Sequence, residues 1–236
     1  MELYLSRLYL NHRSRAVMKD VADPRMLHRT ISGCFPAVEG QADRPQHMRE
    51  TPRNRFNILH RLERQRDCFV LYVQSTVSPD WSRLTPGYAN RFDVKPIDGL
   101  YSNIGNGTRL VFRLAANPTK RAPKDDKGDP RFQDAKRRRI DIREDTKRID
   151  WLERKGEQCG FRLCRVSTKN EVASVDAAPM PAFRFKHDAG RVTLARATFD
   201  GVLEVTDAEA FRNAVARGIG SGKAYGLGLM SVAPAR

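Results

Sequence analysis

Apolar and polar residues alternate with the period of two that is typical of half-buried strands in several short segments of the chain. The clearest is 108–116 (TRLVFRLAA), and 3–10 alternates loosely. Residues 20–34 place Leu27 and Ile31 at helical spacing behind an Asp-Pro pair, a helix-start signal. The first half is therefore predicted to have the order β-α-β-β-α-β. Its strands are predicted at 3–10, 55–63, 68–75 and 94–97, and its helical segments at 20–34 and 80–82.

The second half has the same predicted order. Its strands are predicted at 108–116, 161–166, 182–186, 191–199 continuing through 201–205, and 229–232, its helices at 144–159 and 207–217, and its long loops at 117–140 and 167–180. Two such units are typical of tandem ferredoxin-like, RRM-like βαββαβ domains. We therefore predict an α+β fold with an N-terminal domain of residues 1–100 and a C-terminal domain of residues 101–236.

The charge balance narrows the functional class. Lys and Arg together number 43 against 28 acidic residues, which gives a net charge of +15. Arginine dominates this excess, and its planar guanidinium binds phosphate through two donors, so we expect a nucleic-acid partner. A GC-rich genome would explain the Arg-to-Lys ratio but not the excess charge.

Several other classes are disfavoured. No apolar run approaches ~18 residues, so no membrane partner is expected. The four cysteines lack the spacing of a zinc site, and no metal or other cofactor is predicted. The N-terminus lacks a secretory pattern, which predicts a cytoplasmic protein.

A glycine-rich segment follows the last predicted helix. In Gly218–Gly228, glycines alternate with other residues around Lys223, an arrangement that lets backbone N–H groups approach a phosphate. The order is that of neither a P-loop nor a dinucleotide-binding loop. We predict that Gly220, Gly222 and Lys223 bind RNA backbone; the alternative is a helix C-cap followed by a turn.

Two further sets of basic residues are candidates for RNA contact. A predicted hairpin could enter the groove of an RNA stem, and the loop after residue 116 carries two basic clusters. The alternative in each case is an ordinary solvated surface. The hairpin residues are Arg184, Lys186, Arg191 and Arg196, and the clusters are Lys120–Arg121 and Lys136, Arg137, Arg138 and Arg139.

Motifs spread nearly from end to end provide the most specific signal. They are LYLSRLYLN, SRAVMKD, DPRMLHRTI, QSTVSPDW, FRLAANPTKR, KRRRI followed by IDWLERK and GFRL, FDGVLEV and GIGSGKAYGLGLMSVAP. On these motifs the chain resembles the CasE family, the pre-crRNA endoribonucleases of type I-E CRISPR systems. The resemblance implies two ferredoxin-like domains and a nuclease that cuts CRISPR repeat RNA at the 3′ base of its stem-loop without a metal. It also implies that the enzyme stays bound to the hairpin and joins the other Cascade subunits.

The resemblance also points to site residues. His28, in DPRMLHRT, matches the family's catalytic histidine, and the neighbouring Arg29 is a candidate RNA contact. The family often has a tyrosine three residues before this histidine, and some members have a lysine five residues after it; here these positions are Arg25 and Gly33. We expect His28 to transfer protons and Arg25, or another arginine, to stabilise the phosphorane charge.

Two alternatives remain open at this stage. Tandem ferredoxin-like folds also occur in RNA-binding modules without catalysis, although the aromatic RNP1 pattern is absent. A basic structural component, such as a ribosomal protein, would be expected to carry long tails, which are missing. Cleavage of repeat RNA separates the enzyme from the silent module.

Overall fold

The computed structural model describes residues 2–40, 50–121, 139–166, 172–187 and 190–235. Six of the predicted basic residues are affected by these limits. Lys136, Arg137 and Arg138 lie outside the described residues, and so do the side chains of Arg121, Lys186 and Arg191.

The N-terminal half forms a four-stranded antiparallel sheet. Its elements are β1 (Tyr4–Leu10), α1 (Arg15–Ala22), α2 (Pro24–Gly33), α3 (Pro52–Arg55), β2 (Leu59–Arg64), β3 (Phe69–Ser75), a 3-10 helix (Trp81–Arg83), β4 (Ala89–Pro96) and α4 (Asp98–Ser102). The strand order is β2-β3-β1-β4. Leu8 and Leu10 of β1 share a buried cluster with Leu27 and Ile31 of α2, so strand and helix periodicities build one core.

The C-terminal half repeats this arrangement with additions. Its elements are β5 (Arg109–Ala116), β6 (Thr119–Arg121), β7 (Arg139–Asp141), α5 (Asp145–Cys159), β8 (Phe161–Leu163), β9 (Arg165–Val166), β10 (Val172–Ala173), β11 (Val175–His187), β12 (Gly190–Val205), α6 (Ala208–Arg217), a 3-10 helix (Lys223–Tyr225) and β13 (Met230–Pro234). β8 pairs with the end of β12, β12 with β5, and β5 with β13. β11 pairs with the earlier part of β12.

The two sheets therefore share one strand order. The first sheet has the order β2-β3-β1-β4, and the second has the order β8-β12-β5-β13. Each strand of the second sheet thus takes the place of its counterpart in the first. The predicted α+β fold of two tandem ferredoxin-like units is confirmed. The predicted boundary between residues 100 and 101 falls within α4 and stays a prediction. No helix in the described ranges is both long and apolar enough to cross a membrane.

The predicted helix over 20–34 is wrong in its extent. The chain forms two helices that meet at Asp23, whose backbone is extended, with φ −127° and ψ 107°. Asp23 caps α2 and Pro24 starts it, as the sequence predicts, but the same pair also ends α1. Residues 20–22 consequently belong to the preceding helix.

Three other boundaries differ from the predictions. The predicted loop over 117–140 contains the short β6–β7 ladder, and the predicted strand over 55–63 begins only at Leu59. The predicted loop over 167–180 contains β10 and the beginning of β11. β11 includes Pro179 and Pro181, and it is an edge strand, where a missing N–H is tolerated.

Polar side chains join the two halves. Arg61 of β2 is 5% exposed, and its guanidinium donates hydrogen bonds to the Leu229 carbonyl at 3.1 Å and to Ser231 Oγ at 3.0 Å. It also pairs with Glu63 at 2.8 Å. Gln74 of β3 is 1% exposed and donates to the carbonyl of Val215 in α6 at 2.9 Å. Arg61 of β2 and Gln74 of β3 thus both depend on acceptors in the C-terminal half.

We expect Arg61→Ala to destabilise the protein by about 3 kcal/mol, because it removes these hydrogen bonds and leaves Glu63 without its buried partner. Urea unfolding at pH 7 measures the change. Arg64→Ala, at the exposed end of the same strand, is the control and should stay within about 0.5 kcal/mol of the parent. Equal effects of the two variants would contradict a structural role for Arg61.

Candidate active site

The helix that carries His28 is held at its start and along one face. The carboxylate of Asp23 accepts a hydrogen bond from the backbone N–H of Arg25 at 2.9 Å, which caps α2. Leu27 and Ile31 are 4% and 0% exposed, so α2 presents this face to the core. His28 follows Leu27 and lies half-buried at the border of that face. Its Nδ1 is buried and has no hydrogen-bond partner among the described residues.

A second histidine, His60 of β2, lies against His28. The ring centroids are 6.3 Å apart and the planes differ by 17°, a stacked geometry. His60 is 1% exposed, and within the described residues neither of its ring nitrogens has a hydrogen-bond partner. Gly226 also lies close to His60, since a Cβ there would be 3.2 Å from Nε2. The His60 imidazole thus has both α2 and the glycine-rich segment as neighbours.

Arg53 brings positive charge to this pair. It lies in α3, a four-residue helix that Thr51 caps by accepting a hydrogen bond from the N–H of Asn54. The guanidinium donates to the side chain of Asn54, while Nε is buried without a partner among the described residues. Among the described residues, no carboxylate forms an ion pair with Arg53. Burial lowers the pKa of Arg53.

Burial and like charge keep both histidines neutral. Burial is the main cause that lowers the pKa of His28, and the charge of Arg53 lowers it further. Burial, then His28 and Arg53, lower the pKa of His60 to about 3. Near pH 7 His28 is consequently an unprotonated base, the form that accepts a proton.

The glycine-rich segment reaches the site from the C-terminal half. Lys223 is half-buried, and its ammonium donates to the Arg217 carbonyl at the end of α6 at 2.7 Å. Burial, followed by the charge of Arg53, lowers the pKa of Lys223. A Cβ on Gly220 would lie 3.3 Å from the Trp151 ring, and one on Gly222 would lie 3.0 Å from Leu227. Both residues also have positive φ, +85° and +76°, so backbone conformation and close packing favour glycine at these positions without any RNA, and their predicted contact with RNA stays a prediction.

Arg25, the residue at the family's tyrosine position, is bound to its own helix cap. Its guanidinium pairs with Asp23 at 2.7 Å and lies 5.4 Å from the centroid of the Phe185 ring. The hydrogen bond from Arg25 lowers the pKa of the Asp23 carboxyl. Much of the charge of Arg25 is thus matched locally. Arg29 is exposed on the same helix.

The predicted hairpin is formed by β11 and β12. Arg184 is exposed on β11, and the backbones of Lys186 and Arg191 are paired. Arg196 is half-buried at the base of this hairpin, where it donates to the Pro181 carbonyl at 2.7 Å and lies 3.6 Å from the Phe183 ring centroid, and its predicted contact with RNA stays a prediction. Burial lowers the pKa of Arg196 to about 10.

A pocket of about 370 Å³ lies between the hairpin base and His60. It lies between the two halves, and elements from both contribute to its walls. The lining includes Pro24, Leu27, His60, Phe183, Arg196 and Tyr225. Arg196 therefore lines this pocket together with His60.

The remaining basic candidates lie elsewhere. Lys120 and Arg139 are exposed on the β6–β7 ladder, where Arg121 and Arg139 are paired residues. The structure brings His28, His60, Arg53 and the glycine-rich segment together. The ladder is linked to that segment through Asn117, whose side chain donates to Asp141 of β7 and accepts from Ser221 Oγ. His60 and Arg53 are the site residues that the sequence did not predict.

Comparison with known proteins identifies the family. A family model described as CRISPR associated protein matches residues 3–234. The chain belongs to this family. The chain is 36% identical over 237 residues to the CRISPR-associated endoribonuclease Cse3 of Thermus thermophilus, a match covering 98% of this chain and 100% of that protein. The resemblance to the CasE family is thereby confirmed.

Two further matches agree with this CRISPR-associated family. The chain is 32% identical over 128 residues to the Cascade subunit CasE of Escherichia coli K12, covering 54% of this chain and 59% of that protein. The solved structure of CRISPR endoribonuclease Cse3 bound to a 19-nucleotide RNA matches with a TM-score of 0.78 and 33% identity. That match covers 99% of this chain and 100% of the other.

Acid should destabilise the protein through His60. In the unfolded chain His60 takes up a proton below its ordinary pKa of 6.5, whereas in the folded protein its pKa is about 3 and it stays neutral. Its contribution to the free energy of unfolding is therefore fully present above pH 6.5 and is lost as the pH drops towards 3. Over this range the free energy of unfolding falls by up to about 1.4 kcal/mol per pH unit because of His60. His60→Phe removes this decrease.

Urea unfolding from pH 7 to pH 4 should therefore give a shallower decline of the free energy of unfolding for His60→Phe than for the parent. His12→Phe, at an exposed histidine, controls for the loss of one imidazole. If the parent and His60→Phe declined in parallel, the buried neutral state of His60 would be contradicted.

Proposed function

We propose that this protein is a metal-independent endoribonuclease that cleaves CRISPR repeat RNA at the 3′ base of its stem-loop and retains the mature crRNA. The full-length similarity to an endoribonuclease supports the reaction class. The structural match to a relative bound to RNA supports the substrate class. The net charge of +15 supports a polyanionic partner.

The observation that carries the proposal is the state of His28. It is a half-buried imidazole whose pKa is lowered. Arg53 lies close enough for its charge to contribute to that shift, and no carboxylate in the described residues forms an ion pair with Arg53. General-base catalysis needs an unprotonated acceptor, and phosphoryl chemistry needs nearby positive charge. The site supplies both from one small region between the two halves.

The reaction follows from these groups. His28 accepts the proton of the ribose 2′-hydroxyl as that oxygen bonds to the adjacent phosphorus. The bond from phosphorus to the 5′-oxygen then breaks, the leaving oxygen takes up a proton from solvent water, and the His28 imidazolium returns its proton to solvent. The products are a 2′,3′-cyclic phosphate and a 5′-hydroxyl. Negative charge on the phosphorane is greatest between these two steps, which is where a fixed cation accelerates the reaction.

Arg53 is the stronger candidate for that cation. Arg25 is tied to Asp23 at 2.7 Å, whereas Arg53 has no ion pair with a carboxylate in the described ranges. Arg53 also influences His28 directly, since its charge lowers the pKa of that histidine. We therefore assign phosphorane stabilisation to Arg53 and a supporting role to Arg25.

Basic residues outside the catalytic pair suit the RNA backbone. They supply affinity through phosphate contacts, which weaken as salt rises. The RNA-binding residues that we propose are Arg29, Lys120, Arg121, Arg137, Arg138, Arg139, Arg184, Lys186, Arg191, Gly220, Gly222 and Lys223. Arg196 supports the hairpin base through Pro181 and Phe183.

The proposal includes assembly and location. The E. coli relative is named as a Cascade subunit, which supports incorporation of this protein with its crRNA among other Cascade subunits. All four cysteines are free, as is usual for proteins of a reducing compartment, and this supports action in the cytoplasm.

His28→Ala should slow cleavage of repeat RNA by at least about 100-fold while RNA binding persists, because it removes the proton acceptor. Single-turnover cleavage in EDTA measures the rate, and His12→Ala is the control. The parent should cut in EDTA and fail on RNA with a 2′-deoxy nucleotide at the cleavage position. Normal cleavage by His28→Ala would refute the mechanism, and tight binding without cleavage by the parent would indicate a silent RNA-binding module.

Arg53→Gln should slow the chemical step by about 10- to 100-fold, because the phosphorane loses its cation. It should also raise the pKa of His28 in the pH–rate profile, since the charge that lowers this pKa is gone. Arg55→Gln removes the same charge from an exposed position on the same helix and is the matched control. Identical profiles for the two variants would argue against the assignment.

A further inference from the structure

His60 is built into the site without access to the substrate. His60 is a residue of the edge strand β2, and both His28 and Gly226 lie close to its ring. Although His60 lines the pocket between the halves, it is only 1% exposed, so RNA bound at the surface would contact little of its ring. Any effect of His60 on cleavage must therefore pass through a residue that the RNA does reach, and His28 is the residue against which it is stacked.

We propose that His60 is a positioning residue, whose buried ring fixes the plane of the His28 imidazole and shields one of its faces from water. The inference rests on the proposed function, because it assigns His28 the proton transfer. The interplanar angle of 17° and the centroid distance of 6.3 Å describe a flat, offset contact. Such a contact restricts rotation of the His28 ring, which acid–base catalysis requires to be aimed at one proton.

The C-terminal half completes this contact through Gly226. That residue has a φ of +81°, and a Cβ there would lie 3.2 Å from His60 Nε2 and 3.3 Å from its Cδ2. A glycine both adopts this backbone conformation and lets the chain lie directly against the ring. The glycine-rich segment thereby limits the space available to the His60 ring, which gives Gly226 a role that does not require contact with a phosphate.

The ring, rather than its charge, is the feature that acts. His60 stays neutral well below neutral pH, so it contributes no charge to His28 at the pH of the reaction. The charged groups around the pair come from several elements. They are Arg53 of α3, Asp20 of α1, Arg61 and Arg64 of β2, Arg196 of β12 and Lys223 of the glycine-rich segment. Removal of the ring leaves all of them in place and admits water to one face of His28.

Two substitutions separate the ring from its nitrogens. His60→Phe keeps a flat ring and removes both nitrogens, whereas His60→Asn keeps polar atoms and removes the ring. Two measurements are made on each. The first is the NMR titration of His28 in the RNA-free protein, assigned by the signal missing from His28→Asn. The second is the single-turnover rate on repeat RNA as a function of pH.

We expect His60→Phe to cleave within about threefold of the parent and to keep the low pKa of His28. We expect cleavage by His60→Asn to be about tenfold slower, because the His28 imidazole would no longer be held in the orientation that proton transfer requires. It should also raise the pKa of His28, since burial is the main cause that lowers it. A His60→Phe variant as slow as His60→Asn, or an unchanged His28 titration in His60→Asn, would overturn the inference.

The two proposals can fail separately. Normal cleavage by His28→Ala would remove the proposed function, yet the titration of His28 would still report whether the His60 ring shields it. Conversely, loss of cleavage in His28→Ala together with a parent-like rate and titration in His60→Asn would preserve the proposed function and reject a role for His60. Folding of each variant is checked by its urea unfolding curve, and the ring-retaining Phe variant is the one expected to stay fully folded.

Discussion

The buried hydrogen-bond donors of strand β2 find their acceptors in the other half of the protein. Arg61 directs its guanidinium to Leu229 and Ser231 of the C-terminal half, and the neighbouring strand does the same with Gln74 and Val215. A buried donor without an acceptor is strongly destabilising, so these bonds fix how the halves meet. His60 lies beside Arg61 on that strand, and the active site is consequently formed where the two halves are held most firmly.

Much of the fold could be predicted because its signals are local. Period-two alternation in residues 108–116 and the Asp23-Pro24 helix start each depend on a few neighbouring residues, and both are present in the structure. The errors arose where one signal has two meanings. Asp-Pro begins one helix and ends another, and proline excludes central strands but not the edge strand β11.

The site was less accessible to sequence reasoning. His28 was predicted only through family motifs, since a single histidine on a helix has no distinctive local pattern. His60 and Arg53 were missed because their importance comes from neighbours distant in sequence. His60 is defined by its contacts with His28 and Gly226, and Arg53 belongs to a helix of only four residues. An imidazole in an otherwise apolar strand segment, Ile58-Leu59-His60, was the one local sign of a special environment.

The position of Lys223 gives its ammonium two competing uses. It now caps the carbonyl end of α6 through Arg217, where a positive charge is favoured by the helix dipole. A phosphate that recruited the same ammonium would have to draw it away from that carbonyl or share its three protons. Part of the attraction would then be offset by fraying of the last turn of α6, so phosphate binding at Lys223 would be coupled to the stability of that helix end.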